Sequence, residues 1–575
     1  MENHSRSHIS SGEINRADLK SEKWWLAGAL AVAALYSILA LRLAFRTAYL
    51  IEDDAREHVF WMRRFVDPTL FPNDLIANYF QAVAPAGYKA LYWIFAKTGV
   101  DPVLLSKILP AVLGLLCVFL FFRLFVVLLP NPRVAFFASL LFCQVLWIKD
   151  DIISATPRAF AYPAFLLFAL FLSQRRLLLS LSALVLEGLF FPPTMLVSLV
   201  LWFLCLIRIE SGKISVSRDK TDYLFVAAAT LLAVFILIAY AQPISRYGSV
   251  ITVEQARALP ELGPTGRMPF FVRSFEYWVT SLHSGFFPGI PQTIQIPFFL
   301  APIVWWLGRF RTGDRANQLL LFLVRSILAA FVMWACAHAL LFKLYLPSRY
   351  SWWLLFIAEP MAIGIVFAFL FRIFERFSTK SKRAWLGSAM RSVPYAIAIA
   401  LLAYPHCRWT IPWDYYGTGH SPGLYTFLQR QPKNVVIAAL GAEADLIPTF
   451  AQRSVLVGGE FVNPVHLGYY RQLRERGADL VRAEYSPRLD EVQSFVRKYH
   501  VDFWVIDRRD FQPAYLAHQR WFKDIVDAAA IEQSLARREE PALHKLIRSC
   551  GVWESDRNIV LDARRIEYVD PNLIE

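Results

Sequence analysis

The chain has 575 residues, 56% of them hydrophobic and 18% charged, whereas ordinary soluble domains hold roughly 45–50% apolar and about 25% charged residues. That balance excludes a soluble protein, and the apolar residues form blocks long enough to cross roughly 30 Å of hydrocarbon. The net charge of +14 lies largely in short loops between these blocks, where it sets topology and does not mark a nucleic-acid partner.

The polar tail 1–23 precedes an apolar block too long for a cleavable signal peptide, so the first block reads as a retained span. Windows of about 19 residues give spans near 24–46, 103–129, 133–149, 158–174, 177–191, 193–208, 223–241, 293–309, 318–343, 351–371 and 387–404. Only Pro192-Pro193 separates the fifth from the sixth. With the N-terminus inside, the inner segments collect Arg133, Arg175, Arg176, Arg208, Arg309, Arg311, Arg315, Arg372 and Arg376. The short outer loops carry only Lys149, Arg158, Lys343 and Arg349, as the positive-inside rule expects. The expected organisation is a cytoplasmic tail (1–23), an α-helical transmembrane module (24–404) with long outer loops 49–101 and 242–292, and an extracytoplasmic α/β domain (405–575). An odd number of spans places that domain outside an inner (plasma) membrane. Cys117, Cys143, Cys205 and Cys336 lie in apolar blocks, leaving Cys407 and Cys550 outside them, so neither a disulfide framework nor a zinc spacing is present.

The first outer loop opens with Glu52-Asp53-Asp54-Ala55-Arg56-Glu57-His58. If this stretch is helical, Asp54 and His58 share one face, as do Asp53 and Glu57. A carboxylate there can take a proton from an acceptor hydroxyl, while an Arg-paired interface helix is the structural alternative. Val59, Met62 and Phe65, and the later GYKALYWIFAK, suit helices lying in the membrane interface. Lys149-Asp150-Asp151 ends the third span, and Ser154-Ala155-Thr156-Pro157-Arg158 opens the fourth. The ninth span runs out into Lys343 and then Arg349-Tyr350, whose guanidinium can hold a phosphate through paired hydrogen bonds. Snorkelling to the interface is the alternative for such cations, and His338 reads as a satisfied bundle histidine. Beyond 404, NVVIAAL, SVLVGG and VDFWVID read as buried strands, and PVHLGYYRQLRERGADLV and RLDEVQSFVRKYH as amphipathic helices. Gly458-Gly459-Glu460 and Asp507-Arg508-Arg509-Asp510 read as structural turns, with no nucleotide fingerprint.

Together Asp53-Asp54, Asp150-Asp151 with TPRAFAYP, Arg349-Tyr350 and the soluble domain after the last span resemble the C-type (GT-C) membrane glycosyltransferases. These include protein mannosyltransferases, aminoarabinose transferases and oligosaccharyltransferase catalytic subunits. The resemblance implies a sugar donor linked to a polyprenyl phosphate or diphosphate, an acid of the first loop (Asp53 or Asp54) as catalytic base, and inversion by direct displacement. The leading reading is that Lys149, Arg158 and Arg349, cations at the outer ends of spans, hold the donor phosphate. A divalent cation, Mg or Mn, is expected if Asp53 or Asp54 joins Asp150, Asp151 or His58 around it, although superfamily members also work without a metal. Trp413-Asp414-Tyr415-Tyr416-Gly417 is similar to the oligosaccharyltransferase motif WWDYG, with one Trp missing and the order changed. This puts Trp413, Asp414 and Tyr415 on the acceptor side without naming the acceptor, which can be protein, lipid or polysaccharide. Membrane lipids complete the expected partners. The rival class is a non-catalytic lipid or polysaccharide transporter or assembly scaffold, but no inverted repeat appears, and the acids cluster at one membrane surface.

Overall fold

The computed structural model describes residues 16–210, 213–289, 314–512 and 540–570, with positions 531, 535 and 537 between the last two stretches. Among the described residues, six helices are long and apolar enough to cross a membrane: Ser21–Ala44, Pro102–Leu128, Lys220–Tyr247, Asn317–Ala339, Trp352–Lys380 and Ala384–Cys407. Four shorter apolar helices, Pro132–Ile148, Pro157–Ser173, Leu177–Phe190 and Pro192–Cys205, match the remaining expected spans, except 293–309, which lies outside the described residues. The division at the double proline holds. Phe191 leaves helical geometry at φ −149 and ψ 89, and Pro192 begins the next helix, because a residue before proline is pushed out of the α region.

Burial grades the bundle. Trp352–Lys380 and Pro102–Leu128 are its core, while Lys220–Tyr247 and Ala384–Cys407 turn side chains such as Leu231, Phe235 and Ile399 outward. Such apolar surface is what lipid would cover. Gly364 allows the two core helices to approach closely: a Cβ there would lie 2.5 Å from the ring of Phe125. Phe125 is fully buried, and its neighbour Phe121 stacks on Phe142 at 4.4 Å, so the ring has no room to retreat. Gly364→Ala should therefore cost about 1–3 kcal/mol by overpacking and lower the thermal stability of the detergent-solubilised protein. An unchanged melting curve would show that the helices can part.

The first outer loop departs from its expected form. Asp53–His58 is a six-residue helix followed by a 3-10 turn, Phe60–Phe65. Val59, Trp61 and Met62 are fully buried and do not lie on a lipid surface. Arg63 explains why, since it bonds Asp101 at 2.8 Å and the carbonyl of Thr449, clamping the turn between the bundle and the C-terminal region. Ala86–Lys97 keeps the interface pattern, with Tyr88 and Tyr92 inward and Trp93 and Ile94 exposed.

The C-terminal region carries a five-stranded sheet in the order Ser454–Val455, Val436–Ala439, Phe503–Asp507, Asn558–Asp562, Gly551–Glu554. The first three strands are parallel and the last two antiparallel. Helices Leu467–Tyr485 and Leu489–Tyr499 precede the central strand. All three expected strands are present, and the hairpin 551–562 adds two. A separate two-stranded ladder pairs Leu50–Glu52 with Tyr416–Thr418, tying the start of the first outer loop to the segment after the last span.

Candidate active site

That ladder fixes where the acids stand. Glu52 lies opposite Tyr416, and the Asp53 amide donates to the Tyr415 carbonyl at 3.1 Å. Glu52 then caps the short helix by accepting from the Ala55 amide at 3.0 Å, an arrangement favoured by the positive end of the helix. Burial, and then the nearby Asp150, hold the Glu52 carboxyl well above the usual carboxylate range. From this helix the two adjacent aspartates diverge. Asp54 pairs with Arg158, whereas Asp53, with its side chain 56% exposed, pairs with Arg56.

Arg158 is the hub of the site. Its Nη2 meets Asp54 and, at 3.2 Å, Asp150, while Nη1 lies 3.0 Å from Asp151. The local chain makes this convergence: Asp150–Ile153 is one helical turn, the fully buried Ala155 reverses the backbone at φ 52, and Pro157–Phe160 is a 3-10 turn. A non-glycine residue in the left-handed region costs on the order of 1 kcal/mol and persists where its surroundings hold it. Asp151 also accepts a hydrogen bond from the Tyr162 hydroxyl at 2.7 Å. Burial and the neighbouring Asp150 push its carboxyl up to about 6, against the pull of Arg349.

Lys149, Asp150, Asp151, Arg158, Ser348, Arg349, Trp352 and Trp353 line one narrow, partly open cleft, with Ala161, Phe191 and Leu282 beside them. Lys149 and Arg349 are half-buried, and neither makes an ion pair with a carboxylate among the described residues. Lys149 Nζ sits 5.2 Å from the Trp352 ring centroid. The second outer loop holds the Arg349 turn in place: Ser348 Oγ donates to the Leu282 carbonyl at 2.8 Å, Trp352 Nε1 to Gly285 at 2.9 Å and Ser351 Oγ to Phe286 at 2.7 Å.

The structure thus brings Asp54, Lys149, Asp150, Asp151, Arg158 and Arg349 together and leaves other candidates outside. Asp53 belongs to a neighbouring cluster. His58 stacks edge-on against Phe80 at 5.3 Å, and no bond joins it to the acids among the described residues. Burial, then Arg349, pushes it down to about 4, so it is neutral. Trp413 and Tyr415 act here as braces, the Trp413 amide donating to Trp147 at 2.9 Å and the Tyr415 hydroxyl to Ile148 at 3.2 Å. Asp414 pairs with Arg46 at 2.5 Å. His338 is satisfied, lying 3.0 Å from the Ser284 carbonyl and packed against Trp334 and Trp278. A divalent cation does not fit this arrangement. No group of three or more His, Cys, Asp or Glu stands ready to hold one among the described residues, and the carboxylates that could do so are turned onto Arg158.

Sequence reasoning missed a second charged cluster. Glu460, of the presumed turn Gly458-Gly459-Glu460, pairs with Arg56 at 3.1 Å and with Arg267 of the second outer loop at 2.8 Å. Its amide donates to Asp445 at 3.0 Å, and Glu57 lies 3.9 Å from Arg267. The turn was visible in sequence, but nothing local marks Arg267. His283 was also missed. Its Nδ1 donates to the Pro269 carbonyl at 2.9 Å, and burial lowers it to about 4.

No family model and no curated protein sequence matches the chain. Among solved structures, the apo oligosaccharyltransferase of Archaeoglobus fulgidus superposes with a TM-score of 0.52 at 12% identity, covering 86% of this chain and 71% of that one. The same enzyme tethered to an acceptor peptide containing the NVT sequon gives 0.51 at 12% identity, over 88% and 72%. ArnT from Cupriavidus metallidurans bound to undecaprenyl phosphate gives 0.45 at 12% identity, over 94% and 98%. At such identity the likeness to the oligosaccharyltransferase is one of fold, and it agrees with the helical bundle, the structured outer loops and the C-terminal sheet described above. The chain is a multi-pass membrane protein whose fold is similar to that of the archaeal oligosaccharyltransferase.

Proposed function

We propose that the protein transfers a sugar from a polyprenyl-phosphate or diphosphate donor to an extracytoplasmic acceptor by inverting direct displacement. The observation that carries this reading is Lys149 and Arg349, two cations without a carboxylate ion pair among the described residues, on one wall beside the acid cluster. Lys149 and Arg349 hold the donor phosphate. Asp54 takes the proton of the acceptor hydroxyl as its oxygen bonds to the anomeric carbon. The carbon–oxygen bond to phosphate breaks on the opposite face, and its electron pair leaves with the phosphate, where the two cations stabilise it. Arg158 holds the acids in position and is not itself a phosphate ligand. The acceptor hydroxyl can belong to a protein, a lipid or a polysaccharide.

Binding of a polyprenyl monophosphate to the protein in lipid nanodiscs tests the cation pair. A charge-assisted contact is worth about 1.5–3 kcal/mol, so Arg349→Ala should weaken binding roughly 10- to 100-fold, and Arg349→Lys less, because lysine keeps the charge and loses the planar fork. A scaffold or transporter would bind lipid without transferring sugar to any acceptor. The same reading places the N-terminus in the cytoplasm and residues 405–575 outside the plasma membrane. Protease added to intact spheroplasts should remove that domain, and its full protection there would overturn the topology.

A further inference from the structure

Three carboxylates of the site, on Asp54, Asp150 and Asp151, all turn their oxygens onto one guanidinium. They come from two separate loops. Such convergence of acidic oxygens is how a hard divalent cation is held at a phosphate-transfer site, but here a covalently attached cation fills the focus. Arg158 suits that place because its planar fork presents several N–H donors at once and is always charged. Its side chain is only 16% exposed, and a second positive centre inserted among the same oxygens would have to displace it.

The charges around the cavity then close. Asp54, Asp150 and Asp151 supply three negative charges, and Arg158, Lys149 and Arg349 supply three positive ones. Arg158 offsets one of the three carboxylates, and Lys149 and Arg349 offset the other two, so the wall is neutral before a donor arrives. A sugar joined to a lipid through a single phosphate carries one negative charge in the ground state and releases a phosphate that carries up to two. Lys149 and Arg349 face that single charge directly, and each further charge on a donor is left without a partner in the wall. A diphosphate donor brings at least one further negative charge, and it would meet the carboxylates of Asp150 and Asp151 on the same wall with no metal to bridge them.

We propose that Arg158 is the built-in counter-cation of this site, so that it takes a sugar donor carrying one phosphate and needs no divalent metal. This rests on the transferase reading above and narrows its donor.

The experiment uses the full-length protein in nanodiscs, with polyprenyl monophosphate and polyprenyl diphosphate as probes, each measured with EDTA and with millimolar Mn²⁺. The proposal expects the monophosphate to bind the more tightly of the two, and Mn²⁺ to change its affinity by less than about tenfold. Mn²⁺ tightening of about tenfold or more, or a diphosphate that binds more tightly in EDTA, would overturn it while leaving the transferase reading intact. If neither lipid binds, both readings fall together. Electron paramagnetic resonance of Mn²⁺, without any lipid, gives a readout separate from activity. Wild type should leave Mn²⁺ free, and a folded Arg158→Ala protein should capture it, because three carboxylates lose their partner. Capture by wild type, or none by folded Arg158→Ala, counts against the proposal. Arg158→Lys keeps a cation in place and covers the case in which alanine prevents folding, and it should exclude Mn²⁺ as wild type does; capture by it would show that the position does not act through its charge.

Discussion

Asp54→Asn should abolish sugar transfer, with a loss of about 10² to 10⁴ in rate, while Asp53→Asn should retain turnover within about tenfold. The residues are adjacent and chemically identical, so the difference comes from direction alone. Asp54 pairs with Arg158, which lines the cavity. The side chain of Asp53 is 56% exposed and pairs with Arg56 of its own helix. Asparagine keeps the shape of either side chain and removes its charge. Donor binding should survive in Asp54→Asn, because Lys149 and Arg349 are untouched, and the measurement is therefore transfer at saturating donor with the amount of folded protein matched. A dead Asp53→Asn beside an active Asp54→Asn would reverse the assignment.

That asymmetry shows where sequence stops being informative. The spans were legible because each is a long apolar block, and even the break at Pro192 follows from the backbone chemistry of proline. Lys149, Asp150, Asp151, Arg158 and Arg349 were legible as candidates because charged residues at span ends on one face of a membrane are few. What Arg158 does with its charge was not. Whether a guanidinium faces a phosphate or three carboxylates depends on the approach of residues 54 and 158, which no local pattern encodes. The same holds for Arg267 and Glu460, nearly two hundred residues apart and in direct contact. The strand 551–554 escaped for a local reason: its two middle residues are half-buried and its ends exposed, so period-two alternation is absent.

Arg267→Met should destabilise the outer half of the molecule and should do so most at neutral pH. Arg267 reaches from the second outer loop to Glu460 at 2.8 Å and to the Val462 carbonyl at 2.5 Å, with Glu57 at 3.9 Å. Removing one partner of a buried pair typically costs about 3–5 kcal/mol, because the other charge stays behind without it. Glu460 is 31% exposed and keeps Arg56, so the loss belongs at or below the lower end, on the order of 2–3 kcal/mol. Burial opposes ionisation of Glu460, but Arg267 and then Arg56 outweigh it and hold the carboxyl below its usual range. A depressed carboxylate contributes stability that is present above the unfolded value of about 4.3 and is lost as pH falls through the folded one. The variant has already given up most of that contribution at pH 7, so its deficit against wild type should begin to shrink on acidification toward about pH 4 and close further below it, as the depressed wild-type carboxyl takes up its proton. Thermal unfolding of both proteins at the two pH values measures this, with Arg267→Lys as the variant that keeps the charge and recovers part of the loss. A deficit that is absent at pH 7, or that grows on acidification, would mean that the cluster does not hold the loop to the sheet domain. Turnover should fall with stability, because Glu57 and Asp54 belong to the same six-residue helix.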